Sequence, residues 1–515
     1  MNENSPGRAG RKEWIGLGVI ALPCMLYSMD LTVLNLAVPQ LSAELRPSGA
    51  ELLWIVDIYG FLVAGSLITM GTLGDRIGRR KLLLIGAAAF GIASVLAAFS
   101  TTAAMLIAAR ALLGVAGATL APSTLSLIRN MFHDPHQRTV AISMWVMSYS
   151  AGAAIGPVIG GVLLEHFWWG SVFLINVPVM VLLLALGPVL LPEFRDPGAG
   201  RLDLMSAAQS VAAVLAVIYG FKRVAEGGPG WAAALSILAG LAFGAAFLRR
   251  QRTLADPLID LKLFRIPAFT TALAVNVLGF STAFAAFLFI AQYLQSVIGL
   301  SPLQAGLWGL PSALSFIAGS MLTPMIVRRF RPASVIAGGM AVSAAGFVLL
   351  TQAPGAASPL ALLVAGSVVF SIGLTPVVTL TTDLVLGAAP PERAGAAASM
   401  SETSSELGGA LGIAVLGSVV TAVYRSEVAG TLPAGIASEA AEAARATLGG
   451  AVAVARHLPE PLGAALLDAA RAAFAQSFAL TSGISALIAV VIAFLAAAML
   501  RRVRAAPAGD SATGH

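Results

Sequence analysis

The chain has 515 residues, of which 58% are hydrophobic and 11% charged, and its mean hydropathy is +0.87; a soluble globular domain carries about a quarter charged residues, so water is excluded as its main solvent. The single cysteine, Cys24, rules out an internal disulfide and a cysteine-based metal cluster. The net charge of +6 comes from residues interleaved between apolar runs, which marks membrane topology and not a nucleic-acid footprint.

A helix needs about 20 apolar residues to cross a bilayer. Fourteen runs approach that length, at about 14–38, 51–72, 82–99, 103–128, 140–164, 170–191, 203–220, 231–248, 269–295, 304–327, 333–351, 358–386, 395–424 and 476–500. Arg8, Arg11 and Lys12 precede the first run, which is too long for the apolar part of a cleavable leader. If the N-terminus is cytoplasmic, the inner segments hold 23 of the 31 Lys and Arg, the outer segments hold seven, and Arg110 lies inside a span. The positive-inside rule therefore predicts two cytoplasmic termini.

In chain order, the first run carries Asp30 and the second carries Trp54, Asp57 and Tyr59. An acid facing lipid costs about 2.5–3.5 kcal/mol even on the translocon scale, so these side chains are expected to face a wet cavity. The loop GTLGDRIGRRK (71–81) follows. Gly71, Gly74 and Gly78 permit tight turning, and Asp75 among Arg76, Arg79 and Arg80 suits an ion-pair latch. The fourth run carries Arg110. The fifth carries Trp145 and Tyr149, then Gly152, Gly156 and Gly160 at one-turn spacing, with Pro157 and Gly161 beside them. Such a stripe allows close helix contact, and the proline weakens the backbone ladder. The runs 203–220 and 231–248 are short, and the segment 249–268 is expected to lie along the inner interface.

The stretch 319–332 (GSMLTPMIVRRFRP) repeats the Gly and Arg placement of 71–81 without its Asp, which suggests two related halves. The twelfth run carries Asp383 near its cytoplasmic end. The thirteenth carries Glu402 and Glu406, four apart and so on one face. The outer stretch 425–475 contains SEAAEAARATL and EPLGAALLDAARAAF, both of helical periodicity. Two short amphipathic helices forming an outer cap and a partly ordered linker remain equally open readings.

These segments resemble the major facilitator superfamily. GTLGDRIGRRK resembles its signature loop, AGAAIGPVIGG (151–161) the motif of its exporters, and RALLGVAGA (110–118) a third motif. MDLTVLNLAVP (29–39), LWIVDIY (53–59), RALLGVAGATLAPSTLSLIRN (110–130), WGSVFLINVP (169–178) and SETSSELGG (401–409) narrow the resemblance to fourteen-helix drug–proton antiporters, bacterial exporters of quaternary ammonium compounds and dyes. The resemblance implies an all-α membrane protein of the major facilitator fold: a six-helix bundle at 1–191, an inserted helix pair with a cytoplasmic linker at 192–268, and a second six-helix bundle at 269–515 with the long outer loop at about 425–475. It implies a bacterial inner-membrane location and monomeric action. Its coupling ion would be the proton, with no other cofactor and no metal. Its partners would be small lipophilic or cationic molecules and the lipid bilayer, with no nucleic acid. One departure is visible: where some quaternary-ammonium exporters carry a further acid in the tenth helix, this chain has Phe316.

On this reading Asp30 and Asp57 attract the substrate and exchange protons, with Glu402, Glu406 and Asp383 as further candidates. The resemblance gives Arg110 a part in proton coupling; a buried structural ion pair is the other reading. Trp54, Tyr59, Trp145 and Tyr149 are candidates to stack on a drug, or are packing residues. Two carboxylates close together in low dielectric raise one another's proton affinity, and a drug cation competing with that proton would give antiport. No phosphate-binding loop ending in Gly-Lys-Ser/Thr is present, so ATP is not the expected driver, and no catalytic chemistry is expected. A substrate-specific exporter, an uptake permease of the same fold and a non-transporting sensor are the alternatives.

Overall fold

The computed structural model describes residues 9–195, 203–227, 230–254, 257–259, 261–327, 329–388, 394–433 and 435–500. Arg8, Arg201, Arg328, Arg393, Arg501, Arg502 and Arg504, part of the charge asymmetry, lie outside the described residues.

The described residues are helical throughout, without a strand. The helices are α1 (Arg11–Leu45), α2 (Gly49–Ile77), α3 (Arg79–Ala98), α4 (Ala103–Gly117), α5 (Leu120–Met131), α6 (Pro135–His166), α7 (Ser171–Leu174), α8 (Asn176–Leu190) and α9 (Leu204–Gly227). They continue with α10 (Trp231–Thr253), α11 (Pro267–Gln292), α12 (Pro302–Val327), α13 (Pro332–Thr351), α14 (Pro359–Ala388), α15 (Ala394–Thr431), α16 (Ser438–Ala446), α17 (Leu448–Ala455) and α18 (Glu460–Met499). Among the described residues, thirteen spans are long and apolar enough to cross a bilayer. Helix α1, bent by 45° between Asp30 and Thr32, makes a fourteenth when its two parts count as one span. Thr32 Oγ1 donates to the Met29 carbonyl (3.0 Å) at this bend, a back-bond that commonly curves a helix.

The expected ends hold within a few residues for most spans and fail in two informative places. Helix α9 runs to Gly227, so Lys222 and Arg223 belong to the helix and not to an outer loop. The segment EPLGAALLDAARAAF is not a separate helix: it is the start of α18, continuous with the last span, while α15 runs on to Thr431. Between them α16 and α17 are ordered. Tyr424 Oη donates to the Ala444 carbonyl (2.9 Å), and Ala441, Ala444 and Leu448 are buried. Gly449 packs against Ser42 near the end of α1.

The chain divides into two compact units that interleave along the sequence. One comprises Met1–Leu258, Phe287–Leu310 and Ile413–Phe478; the other comprises Ile259–Ala286, Pro311–Gly412 and Ala479–His515. In the first, α6 seats on α1. A Cβ on Gly152 would strike the Met25 backbone, one on Gly156 would strike Thr32 and Met29, and one on Gly160 would meet Val33 at 2.7 Å. Helices α9 and α10 form a tight pair: a Cβ on Gly240 would lie 2.7 Å from the Ala213 carbonyl. The outward side chains of α10, Trp231, Leu235, Leu238 and Leu241, are apolar and exposed, as lipid contact requires.

In the second unit, Leu263, Phe269, Ala272, Leu273, Val385 and Met400 form an apolar cluster. Buried Asn276 of α11 ties α14 to α15. Its amide donates to Ser404 Oγ (2.8 Å) and Ser405 Oγ (2.9 Å), and its carbonyl accepts from Thr381 Oγ1 (3.2 Å).

Candidate functional site

The first unit holds two acid–base pairs in its apolar interior. Arg110 of α4 is 1% exposed, and its Nη1 donates to Asp30 Oδ2 at 2.8 Å. Its Nε donates to the Ile55 carbonyl (2.8 Å) and its Nη2 to the Val56 carbonyl (3.3 Å). The guanidinium also lies 5.0 Å from the Tyr59 ring centroid and 5.9 Å from that of Phe173. One planar fork thus joins α1, α2 and α4 just where α1 bends, with its donors directed at oxygen.

Asp57 directly follows Val56 on α2 and has a different partner. Lys222 Nζ lies 3.0 Å from its Oδ1 and 2.8 Å from its Oδ2, and 3.8 Å from the centroid of the Trp54 ring. Lysine and aspartate are each 1% exposed. Neither hydropathy nor motif spacing pointed to Lys222. A cation near the end of an apolar run reads as the end of the run, and the partner acid lies 165 residues away.

Local sequence explains the placement. Ser48 caps α2 by accepting from the Glu51 amide (3.2 Å), while Glu51 Oε2 accepts from the Ser48 amide (2.9 Å). This capping box starts the helix that presents Trp54, Asp57 and Tyr59. An aromatic path continues from Tyr59 to Tyr27 (6.0 Å between centroids), Tyr149 (5.8 Å) and Trp145 (4.9 Å). Trp145 Nε1 donates to Thr124 Oγ1 at 3.0 Å.

The other candidate residues make different contacts. In the 71–81 loop, Asp75 pairs with Arg79 at 2.5 Å within one helical turn, and Arg76 is exposed. Arg80 does not join that pair: its Nη1 donates to the carbonyls of Pro188 (3.1 Å) and Leu191 (3.0 Å), and Glu193 lies 3.6 Å away. The Glu193 carboxylate accepts from the amides of Arg80 (3.1 Å) and Lys81 (3.2 Å), so it caps the N-terminus of α3. Gly78, at φ +112°, makes the turn, and a Cβ there would collide with this carboxylate. Gly71 and Gly74 sit in the last turns of α2. Gly161 packs on Leu303, and the Pro157 carbonyl meets Gly306. In the second unit Asp383 and Glu402 are exposed and Glu406 is half-buried.

A family model described as Major Facilitator Superfamily matches residues 20–413. The chain belongs to the major facilitator superfamily. This superfamily member is 42% identical over 498 residues to the multidrug efflux pump LfrA of Mycolicibacterium smegmatis, with 97% of this chain and 98% of that one covered. It is 37% identical over 490 residues to the methyl viologen resistance protein SmvA of Salmonella typhimurium, covering 93% and 97% of the two chains. A bacterial homologue of the human lysosomal transporter Spinster, solved inward-facing and unoccupied, shares the fold at TM-score 0.68 and 18% identity, with 97% and 100% covered.

Proposed function

We propose that this superfamily member is a proton-coupled multidrug exporter of the bacterial inner membrane, with cytoplasmic termini, that expels lipophilic, mostly cationic molecules by alternating access. The observation that carries the reading is the pair of buried carboxylates, Asp30 and Asp57, each in contact with a cation in a chain 42% identical to a multidrug efflux pump. An acid inside an apolar interior holds a proton or a cation, but holding both at once leaves one of them without a counter-charge. Exchange of one for the other is antiport without covalent chemistry. The aromatic path from Tyr59 to Trp145 supports a lipophilic cargo, because ring faces accept both apolar surface and cationic charge.

The test is ethidium content in energised cells with and without the protein. Cells making the wild-type chain should retain less dye, and a protonophore should abolish the difference. Asp30→Asn and Asp57→Asn proteins, inserted at normal levels, should each lose about tenfold or more in efflux rate, the scale expected when a charge-assisted contact is removed. Wild-type efflux rates in both variants, or a higher dye content caused by the wild-type protein, would remove the reading.

A further inference from the structure

Trp54 and Asp57 stand three residues apart on α2 and therefore share a face. Together they offer a lipophilic cation an aromatic plane beside a carboxylate. That place is filled from within the chain. The Lys222 ammonium sits at 3.8 Å from the Trp54 centroid and within 3.0 Å of both Asp57 oxygens.

Lysine is a compact point charge on a four-carbon stem, so its ammonium can leave a site without moving its helix. The position of α9 is secured elsewhere. Gly65 of α2 packs against Val211, and Gly220 and Gly240 make close contacts along the α9–α10 pair. At the other end of α9, Arg250 donates twice to Asp203 (2.8 and 2.9 Å) and Gln251 donates to Ser206 (2.7 Å). The α9–α10 pair is therefore a braced arm that carries Lys222 toward its far end.

We propose that Lys222 is a tethered rival of the cargo: its ammonium occupies the cation site made by Asp57 and Trp54, and a cationic substrate binds there by displacing it. The proposal rests on the reading of the chain as an exporter of lipophilic cations and assigns that reading a specificity-determining residue. A displaced ammonium remains nearby as a positive charge. It opposes tight retention of the cargo and reclaims the carboxylate when the cargo leaves. A neutral molecule has no charge with which to displace it, so the lysine discriminates by charge and not by size.

Equilibrium binding of tetraphenylphosphonium, a lipophilic monocation without an amine, to the purified full-length protein tests this, with the neutral dye Nile red in parallel. Lys222→Met should bind tetraphenylphosphonium about tenfold more tightly, as removal of one competing ion and cation–π contact implies, and should bind Nile red as the wild type does. A second measurement needs no variant. Acetylation of Lys222 in the wild-type protein, read by mass spectrometry, should rise several-fold when tetraphenylphosphonium saturates the site. A fixed structural bridge predicts the reverse: unchanged acetylation, and weaker or unaltered cation binding in Lys222→Met. Either result overturns the proposal, and acetylation decides alone should the variant fail to insert. A wild-type protein that binds tetraphenylphosphonium but shows no lysine release loses only the rival role. One that neither binds it nor lowers cellular ethidium loses the exporter reading as well.

Discussion

The two buried pairs differ in how their cations are held. Arg110 directs Nε and Nη2 to the carbonyls of Ile55 and Val56 and Nη1 to Asp30, so three helices meet at one rigid plane. Lys222 places a single rounded charge between the Asp57 oxygens and the Trp54 ring. The first arrangement suits a cation that stays in place while Asp30 gains or loses its proton, and the second suits a cation that leaves. Burial and an opposite charge are common to both, so those features alone do not separate a fixed cation from an exchangeable one. The geometry of the donor does.

The sharpest way to break the comparison is at the fixed cation. Arg110→Leu leaves Asp30 as an unpaired buried charge, and breaking a buried pair costs about 3–5 kcal/mol. Little folded protein should reach the membrane, and thermal unfolding in detergent should begin well below the wild-type temperature. Arg110→Lys should recover part of that stability without the two carbonyl contacts. A wild-type melting curve for Arg110→Leu would mean that Arg110 is no more fixed in place than Lys222 is.

A middle-sized effect should come from the seat of α1. Gly152→Val forces a branched side chain into the Met25 backbone. Overpacking of this kind costs about 1–3 kcal/mol. The melting temperature and ethidium efflux should both fall. Acetylation of Lys222 in the empty protein should stay as it is, because α9 packs on α2 and not through this seat.

The smallest effect belongs to the base of the α9–α10 arm. Hydrogen bonds from Arg250 and then from Ser206 hold the Asp203 carboxyl at about 2, below its ordinary 3.8, against a partial opposition from burial. The folded value is the lower one, so the pair's stabilisation is complete above the ordinary value and is lost as pH falls through about 2. Asp203→Asn should therefore lower the melting temperature slightly and equally at all pH values above about 5, and the gap to wild type should close on acidification. A gap that widens toward low pH would reverse the assignment.

Much of the architecture was legible in the sequence because lipid demands long apolar runs, and 103–128 and 333–351 mark themselves by length alone. Asp30, Asp57 and Arg110 announced themselves by the cost of charge in such runs. What could not be read was pairing. Asp30 and Arg110 are 80 residues apart, and Lys222 looked like the end of a span because hydropathy stops at the first cation. Glu193 was missed for a related reason: nothing in LPEF distinguishes a helix cap for a distant segment from an ordinary loop acid. The stretch from Glu460 was misjudged because an amphipathic helix and the polar start of a longer span have the same periodicity.

The two pairs have a consequence for electricity. Two carboxylates against two side-chain cations leave this interior neutral before any cargo arrives. Under the proposed exchange, a monovalent dye adds one positive charge, and carrying it across the full potential is worth about 2.3 kcal/mol per 100 mV. A single proton moving inward cancels that displacement. Export of a monocation would then be indifferent to voltage and driven by the pH difference alone, while export of a dication against the same proton would move net charge outward.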